Sequence, residues 1–231
     1  MEIAASPAHD GSILRRHHPI GASTGYMKEL RNDWPAQITE AWAVSPFAVE
    51  LSVLSENELP SFRDYLATAP TVPFRYRSVH GPSKNRRVDE DDLVDKLLHL
   101  AEWADAIVMH PDTIEDPQLY RALGPKLLIE NMDARKGWGR TREELEKVFE
   151  ELPEAAFCFD IAHAWSIDRG MTVSEELLDA FRERLGQVHI SSLTSDLRHV
   201  PLTEAHEELF RPFLQRCLDV PWILEAPLRP S

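Results

Sequence analysis

The sequence predicts a single α/β domain folded as a (β/α)8 barrel with short loops. Three observations predict it. Short apolar runs alternate with amphipathic stretches throughout the 231 residues, eight such units follow one another, and the last apolar run ends on a charged residue, Glu225. A doubly wound sheet is the runner-up, but there the last strand would be an edge at which the charge of Glu225 has no evident role.

Eight apolar runs of four to seven residues are predicted as the barrel strands. In chain order they cover residues 20–24, 48–54, 74–80, 106–110, 126–130, 156–160, 187–190 and 222–225. Runs this short and this apolar are typical of parallel strands, which are covered on both faces.

Helices are predicted between the strands from capping motifs and helical spacing. Three segments have the spacing of a capping box, in which a hydroxyl and a Glu three residues later bond each other's backbone; they begin at Ser55, Thr141 and Thr172. Leucine and phenylalanine follow each of them at intervals of three and four residues. Further helices are predicted over 93–104 and from about 204 to 218, and the weakest helical pattern covers 115–123.

Composition and charge exclude several classes of protein. The net charge of −14, from 39 acidic and 25 basic residues, argues against a protein that coats nucleic acid. No apolar stretch approaches the roughly 18 residues of a membrane span, and the N-terminus lacks the apolar run of a secretory signal. Cys158 and Cys217 lie far apart in apolar surroundings, which predicts reduced core residues and excludes a Cys-based zinc site. We therefore expect a cytoplasmic protein, with a flexible tail over 1–18, the domain over 19–231 and the oligomeric state open.

Side chains that bind metals stand at the ends of the predicted strands. They are His80, His110, Glu130, Asp160, His163, His189 and Glu225, joined by His199 in the loop after the seventh strand. In a parallel barrel the carboxyl ends of the strands converge on one mouth. Carboxylates buried together repel unless a cation neutralises them, and nitrogen with oxygen ligands suits Zn, Mn, Fe or Co. Any one of these residues alone is more typical of a hydrogen-bonded core residue or helix cap, but the set predicts a divalent-metal site.

These segments also resemble the xylose-isomerase-like TIM-barrel superfamily, which includes endonuclease IV and the sugar isomerases and epimerases. The pieces VHGP, VMHP, IEN, FDIAH, VHISS, HVPL and ILEAP occur in this order from the third strand to the eighth. The resemblance implies that one metal has four ligands, as in the isomerases and epimerases: Glu130, Asp160, His189 and Glu225. It also implies further ligands of a three-metal cluster, as in endonuclease IV: His80, His110, His163 and His199.

The sequence departs from the endonuclease pattern at the third metal and at the DNA-contacting loops. Leu197 stands where that pattern has an Asp two residues before the His that matches His199, and Asp196 is one position off. The loop after His80 reads Gly-Pro-Ser83 and lacks the tyrosine that wedges into DNA. The loop after the second strand is acidic and has no arginine to enter a duplex. These departures disfavour a nucleic-acid partner.

The sequence favours a divalent-metal-dependent isomerase or epimerase that moves a proton on a small sugar or sugar phosphate. Glu130 and Glu225 would then act as ligands and as general acid or base on opposite faces, with His163 at the substrate. The alternative is a multinuclear hydrolase of a phosphoester resembling endonuclease IV, or more remotely a multinuclear iron enzyme with oxidative chemistry. A barrel whose metal is structural or lost is a third hypothesis. One to three ions are expected.

Basic and aromatic residues after the strands are predicted to contact the substrate. Lys84 and Arg86, with Arg87, follow the third strand, and a second basic group follows the fifth: Arg135, Lys136 and Arg140. Such residues can bind a phosphate, although solvated loops are the alternative. Trp138 and Trp165 could stack on a sugar ring, or could equally close the barrel against solvent.

Overall fold

The computed structural model describes residues 18–68, 72–84 and 88–227, and within them eight parallel strands close into a barrel. The strands are β1 (Ile20–Ser23), β2 (Ala48–Ser52), β3 (Tyr76–His80), β4 (Ala106–Met109), β5 (Leu127–Glu130), β6 (Ala156–Asp160), β7 (Leu185–Ile190) and β8 (Trp222–Leu224). Their order around the barrel is β1-β8-β7-β6-β5-β4-β3-β2, and Ile20 of β1 pairs with Trp222 of β8. The predicted (β/α)8 barrel is therefore confirmed, and the alternative of a doubly wound sheet is wrong.

Helices surround the strands. They are α1 (Trp34–Val44), α2 (Leu59–Thr68), α3 (Glu90–Trp103), α4 (Pro117–Tyr120), α5 (Arg142–Glu151), α6 (Ile161–Ile167), α7 (Thr172–Phe181) and α8 (Glu204–Leu214). Short 3-10 turns cover Thr24–Tyr26, Lys28–Leu30, Glu56–Glu58, Pro111–Thr113, Arg121–Lys126, Arg182–Arg184 and Gln215–Cys217. A small antiparallel hairpin, Ser192–Leu193 with His199–Val200, follows β7.

Two apolar layers hold the barrel together. The large one lies between strands and helices, where Trp222, Phe157 and Phe159 are fully buried. The small one fills the barrel interior with Ala106, Val108, Leu128 and Cys158. Alternate strand residues point inward, so the polar residues at the carboxyl ends of the strands lie above this inner layer.

Two of the three predicted capping boxes are present. Thr141 and Glu144 bond each other's backbone, as the pattern predicts, and so do Ser55 and Glu58. The third prediction is wrong, because Thr172 begins α7 without capping it. Met171 is the N-cap residue in a left-handed conformation (φ 67°), and the carboxylate of Asp168 accepts the backbone N–H of Thr172 at 2.7 Å.

The remaining sequence expectations concern the chain's chemistry and its first residues. Cys158 and Cys217 are buried free thiols, as predicted. No helix in the described ranges is long and apolar enough to cross a membrane. His18 donates from Nε2 to the carbonyl of Val220 at 2.9 Å and packs on Trp222. The rest of the predicted tail, residues 1–17, lies outside the described residues.

Candidate metal centre

A cavity of about 590 Å³ opens at the carboxyl ends of the strands, which is within the size range of small-molecule sites. Six of the eight predicted ligands line it: His80, His110, Glu130, His163, His199 and Glu225. The other two, Asp160 and His189, lie directly behind them and are fully buried. The structure therefore brings all eight residues to the barrel mouth.

Glu130, the last residue of β5, lies at the centre of this group. Its Oε2 is 3.2 Å from His80 Nε2 and 3.1 Å from His110 Nε2, while its Oε1 is 3.0 Å from His189 Nδ1. Burial alone would raise the pKa of Glu130, but the surrounding imidazoles, His189 foremost, hold that pKa well below its usual range. Glu130 is thus a carboxylate whose Oε2 faces His80 and His110 and whose Oε1 faces His189.

A four-donor cluster lies on the Oε1 side of Glu130, formed by Glu130, Asp160, His189 and Glu225. His189 Nδ1 is 3.4 Å from Glu225 Oε1, and within the described residues the buried Oδ2 of Asp160 accepts no hydrogen bond. Burial raises the pKa of Glu225 well above its usual range; His189 opposes this, and the like charges of Asp160 and Glu130 add to it. Carboxylates packed in this way favour a cation between them.

A second four-donor cluster faces the hairpin and consists of Asp160, His163, His199 and Glu225. His163 Nε2 lies 3.5 Å from Asp160 Oδ2, and His199 Nδ1 lies 3.2 Å from Glu225 Oε2. Burial lowers the pKa of His199 to about 4, which leaves its imidazole neutral and able to act as a ligand.

Asp196 does not replace the missing acidic ligand at this second cluster. Its carboxylate turns away to accept from Arg198 Nε at 2.7 Å, and more than half of its side chain is exposed. Leu197 lines the cavity instead, with a left-handed backbone (φ 58°). In the structure, as in the sequence, Leu197 therefore stands where the endonuclease pattern has an aspartate.

Backbone carbonyls fix which ring nitrogen two of the histidines present to the centre. His80 Nδ1 donates to the carbonyl of Gly81 at 2.9 Å, and His163 Nδ1 donates to the carbonyl of Asn131 at 2.9 Å. The amide side chain of Asn131 also bonds both backbone groups of Asp160 at 2.8 Å and so joins β5 to β6. Contacts of this kind orient metal ligands in advance of binding.

Glu50, in β2, is a buried carboxylate that the sequence analysis missed. It is 0% exposed, and its Oε2 accepts from His189 Nε2 at 2.9 Å and from Gln187 Nε2 at 2.7 Å. Because Glu50 holds Nε2, the other ring nitrogen of His189 faces Glu130 and Glu225. Its charge within the run 48–54, where every other residue except Ser52 is apolar, was the signal that could have identified it.

The donor atoms fit a divalent metal ion. Ligand atoms in a tetrahedral complex with bonds of about 2.0–2.1 Å lie about 3.3 Å apart. His80 Nε2, His110 Nε2 and Glu130 Oε2 are 3.1 to 3.2 Å from one another. Asp160 Oδ2 accepts no hydrogen bond from the described residues, and the donor set mixes nitrogen and oxygen atoms; both observations also favour a metal ion.

The predicted substrate contacts divide into two groups. Lys84, Arg135 and Lys136 line the cavity, whereas Arg140 pairs with Glu144 and Arg86 falls outside the described residues. The two tryptophans are not brought to the cavity. Lys147 lies over the ring of Trp138, and Arg169 and His206 pack on Trp165.

Comparisons with known proteins identify both a family and similar folds. The family model described as xylose isomerase-like TIM barrel matches residues 69–230. No curated protein matches the chain. Among solved structures, endonuclease IV from Thermus thermophilus is 22% identical with a TM-score of 0.52, over 84% of this chain and 88% of that chain.

Two further structures have similar folds at lower identity. D-Psicose 3-epimerase from Clostridium cellulolyticum is 13% identical with a TM-score of 0.60, over 92% of this chain and 86% of that chain. An AP endonuclease, family 2, from Brucella melitensis is 15% identical with a TM-score of 0.56, over 93% and 95%. At such identities the likeness concerns the fold. The family match covers more than half of the chain and includes all eight candidate ligands, and the chain therefore belongs to the xylose isomerase-like TIM barrel family.

Proposed function

We propose that this chain is a divalent-metal-dependent hydrolase of a phosphoester that uses at least two ions. The observation that carries the proposal is the division of Glu130, whose Oε2 faces His80 and His110 while its Oε1 faces His189. A carboxylate that offers one oxygen to each of two donor groups can bridge two ions. Two-metal sites of this kind are typical of enzymes that cleave phosphoesters.

The residues divide into two ligand sets and a group that contacts substrate. His80, His110 and Glu130 would hold one ion, and Glu130, Asp160, His189 and Glu225 would hold the other. Two divalent ions supply Lewis-acid stabilisation of the attacking and the leaving oxygens. In its imidazolium form His163, which lines the cavity, can donate from Nε2 to a phosphoryl oxygen.

Cations at the rim favour an anionic substrate even though the whole chain is acidic. Lys84, Arg135 and Lys136 line the cavity, together with Lys28 and Arg198. Arg135, Lys136 and Arg198 each pair with a neighbouring aspartate. Lys28 and Lys84 form no ion pair within the described residues, so they are the cations best placed to bind an anion. The cavity volume favours a small phosphoester.

A metal-dependent isomerase or epimerase, which the sequence favoured, is the second candidate. The cluster of Glu130, Asp160, His189 and Glu225 is a complete set of four donors without His80 and His110. In that case one ion would suffice, and Glu130 and Glu225 would serve as general acid and base on a sugar. We rank it second because it gives no metal-binding role to the Nε2 atoms that His80 and His110 direct at Glu130.

Metal content measured together with activity tests the proposal. Wild-type protein should bind two or more equivalents of Zn²⁺, Mn²⁺, Fe²⁺ or Co²⁺ and hydrolyse bis(p-nitrophenyl) phosphate. His80→Ala should lose about one equivalent and almost all hydrolysis, because one ion cannot stabilise both oxygens. His99→Ala, which removes an exposed histidine from α3, is the matched control.

One outcome would contradict the proposal, and another would change its substrate. One equivalent of metal in both wild type and His80→Ala, with interconversion of ketose epimers, would favour the isomerase. Cleavage of an abasic-site duplex much faster than of small esters would retain hydrolysis but reject a small substrate.

A further inference from the structure

A second cavity adjoins the metal centre between the loops that follow β1, β2 and β3. Its volume is about 290 Å³. We call it the side pocket, and its lining residues are Gly25, Lys28, Arg31, Leu54, Ser55, Glu58 and Lys84. Four of these also line the main cavity, namely Gly25, Lys28, Leu54 and Lys84, so the side pocket opens directly off the metal centre.

Positive charge is concentrated in the side pocket. Among the described lining residues, Lys28, Arg31 and Lys84 face a single carboxylate, Glu58. Its Oε1 lies 3.9 Å from Arg31 Nε and is therefore beyond hydrogen-bond distance. In the described part of the chain neither Lys28 nor Lys84 forms an ion pair. Because low-dielectric walls focus the field of unpaired cations in a cleft, such a pocket attracts anions even on an acidic protein.

The cations are carried by loops that are tied to one another. Arg31 donates from Nη1 to the carbonyl of Ser52 at 3.0 Å and from Nη2 to the carbonyl of Gly25 at 2.9 Å. The backbone N–H of Lys84 donates to the carbonyl of Leu54 at 3.0 Å. These bonds join all three loops, so the backbone positions of the cations are set before a ligand binds, which lowers the entropic cost of binding.

We propose that the side pocket binds a second phosphate group of the substrate, remote from the phosphoester that reacts at the metal centre. Lysine ammonium and arginine guanidinium groups form strong charge-assisted hydrogen bonds with phosphate. Leu54 is the one apolar side chain among the described lining residues, which disfavours an aromatic or alkyl group. The phosphate could be the terminal group of a small molecule or the next phosphate along a nucleic-acid strand. The inference rests on the proposed function for the position of the reacting ester.

Equilibrium binding to the metal-loaded protein tests the side pocket without any need for turnover. The probes are alkyl phosphates of three, four and six carbons and the matching α,ω-diol bisphosphates, with calorimetry as the readout. At one or more lengths, wild-type protein should bind the bisphosphate about tenfold or more tightly than the monophosphate, because each phosphate gains charged hydrogen bonds.

Two double variants test whether this gain in affinity arises in the side pocket. In Lys28→Gln/Lys84→Gln the bisphosphate should bind no more tightly than the monophosphate, so the ratio of the two affinities is the readout. Lys96→Gln/Lys147→Gln makes the same change in net charge on the outer helices α3 and α5 and should keep the gain. Arg31 is left intact because it joins the loops of β1 and β2.

A second arm distinguishes the two sources of phosphate. Tighter binding of the bisphosphates supports the inference with a small molecule as ligand. If a single-stranded abasic tetranucleotide is the only probe that shows a gain in affinity, the inference is supported with a nucleic-acid strand as ligand. No gain with any probe, or a gain that the Lys28→Gln/Lys84→Gln variant retains, overturns it. A gain in a protein that hydrolyses no phosphoester would uphold the side pocket and reject the proposed function. Phosphoester hydrolysis together with a gain that Lys28→Gln/Lys84→Gln retains would uphold the proposed function and reject the side pocket.

Discussion

His80 and His110 direct the same ring atom, Nε2, at one point, where the two atoms lie 3.1 Å apart beside Glu130 Oε2. The Nδ1–H of His80 bonds the carbonyl of Gly81, so in the neutral ring its Nε2 carries a lone pair. With His80 Nε2 and Glu130 Oε2 both acceptors, the three atoms need a proton or a cation among them. A metal ion satisfies all three at once.

Glu50→Gln is expected to weaken metal binding about 10- to 100-fold without unfolding the barrel. The amide oxygen can still accept from His189 Nε2, but the negative charge that makes His189 a stronger ligand is lost. Competition with a chromophoric chelator measures the change. Glu146→Gln on α5 is a matched control, and an affinity equal to that of wild type would exclude Glu50 from the metal centre.

Asp160→Asn and Asp160→Ala should both lose metal but differ in stability. Asp160 Oδ1 accepts the backbone N–H of His163 at 2.7 Å and so caps α6. Asparagine can keep that cap whereas alanine cannot, so the alanine variant should be less stable by about 1 kcal/mol. Metal analysis and urea denaturation of the metal-free proteins measure the two effects. Equal stability of the variants would show that the cap contributes little.

Glu225→Gln should stabilise the metal-free protein at high pH. Burial, with the like charges of Asp160 and Glu130, raises the pKa of Glu225 in the folded state. The stability contributed by a carboxyl with a raised pKa is fully present below its unfolded pKa and is lost as the pH rises through its folded pKa. Metal-free wild type should therefore be less stable than Glu225→Gln at pH 8, and the difference should shrink towards pH 4.

Denaturation in urea with and without EDTA measures this difference. Saturating metal should reverse the order at pH 8, because wild type keeps a ligand that the variant lacks. If the metal-free variant is the less stable protein at pH 8, the Glu225 carboxylate is not repelled by its neighbours.

Leu197→Asp should add a further metal equivalent. Leu197 lines the cavity two residues before His199, and its left-handed backbone is better tolerated by aspartate than by leucine. The new carboxylate would join His163 and His199. Leu197→Asn has the same backbone tolerance without the charge and serves as control. A metal content unchanged from wild type in Leu197→Asp would contradict the prediction.

The sequence predicted the strands and their terminal residues well, because both follow from local patterns. Each predicted strand begins within two residues of the observed one. The eight candidate ligands could be assigned to one mouth since a parallel barrel brings all strand ends together. The motif order from the third strand onward identified the family, which the match over residues 69–230 confirms.

What the sequence could not predict depends on contacts between distant segments. The sequence places Glu50 in an apolar strand and gives it no role, because its partners, Gln187 and His189, lie more than 130 residues away. The side pocket likewise needs three loops, which are joined by the hydrogen bonds of Arg31 and by the backbone N–H of Lys84. Trp138 and Trp165 are predicted to contact the substrate from their positions in the sequence alone, but the chain beyond Asn131 and helix α6 place their rings outside the cavity lining.

The closing strand of the barrel also determines when the centre can form. Glu225 follows β8, which pairs with both β1 and β7, and it belongs to two of the three ligand clusters. A nascent chain that has emerged only as far as β7 already carries His80, His110 and Glu130, yet its barrel is still open. The full set of ligands is therefore assembled only when β8 docks between the first and seventh strands, so complete loading with metal has to follow synthesis of that segment.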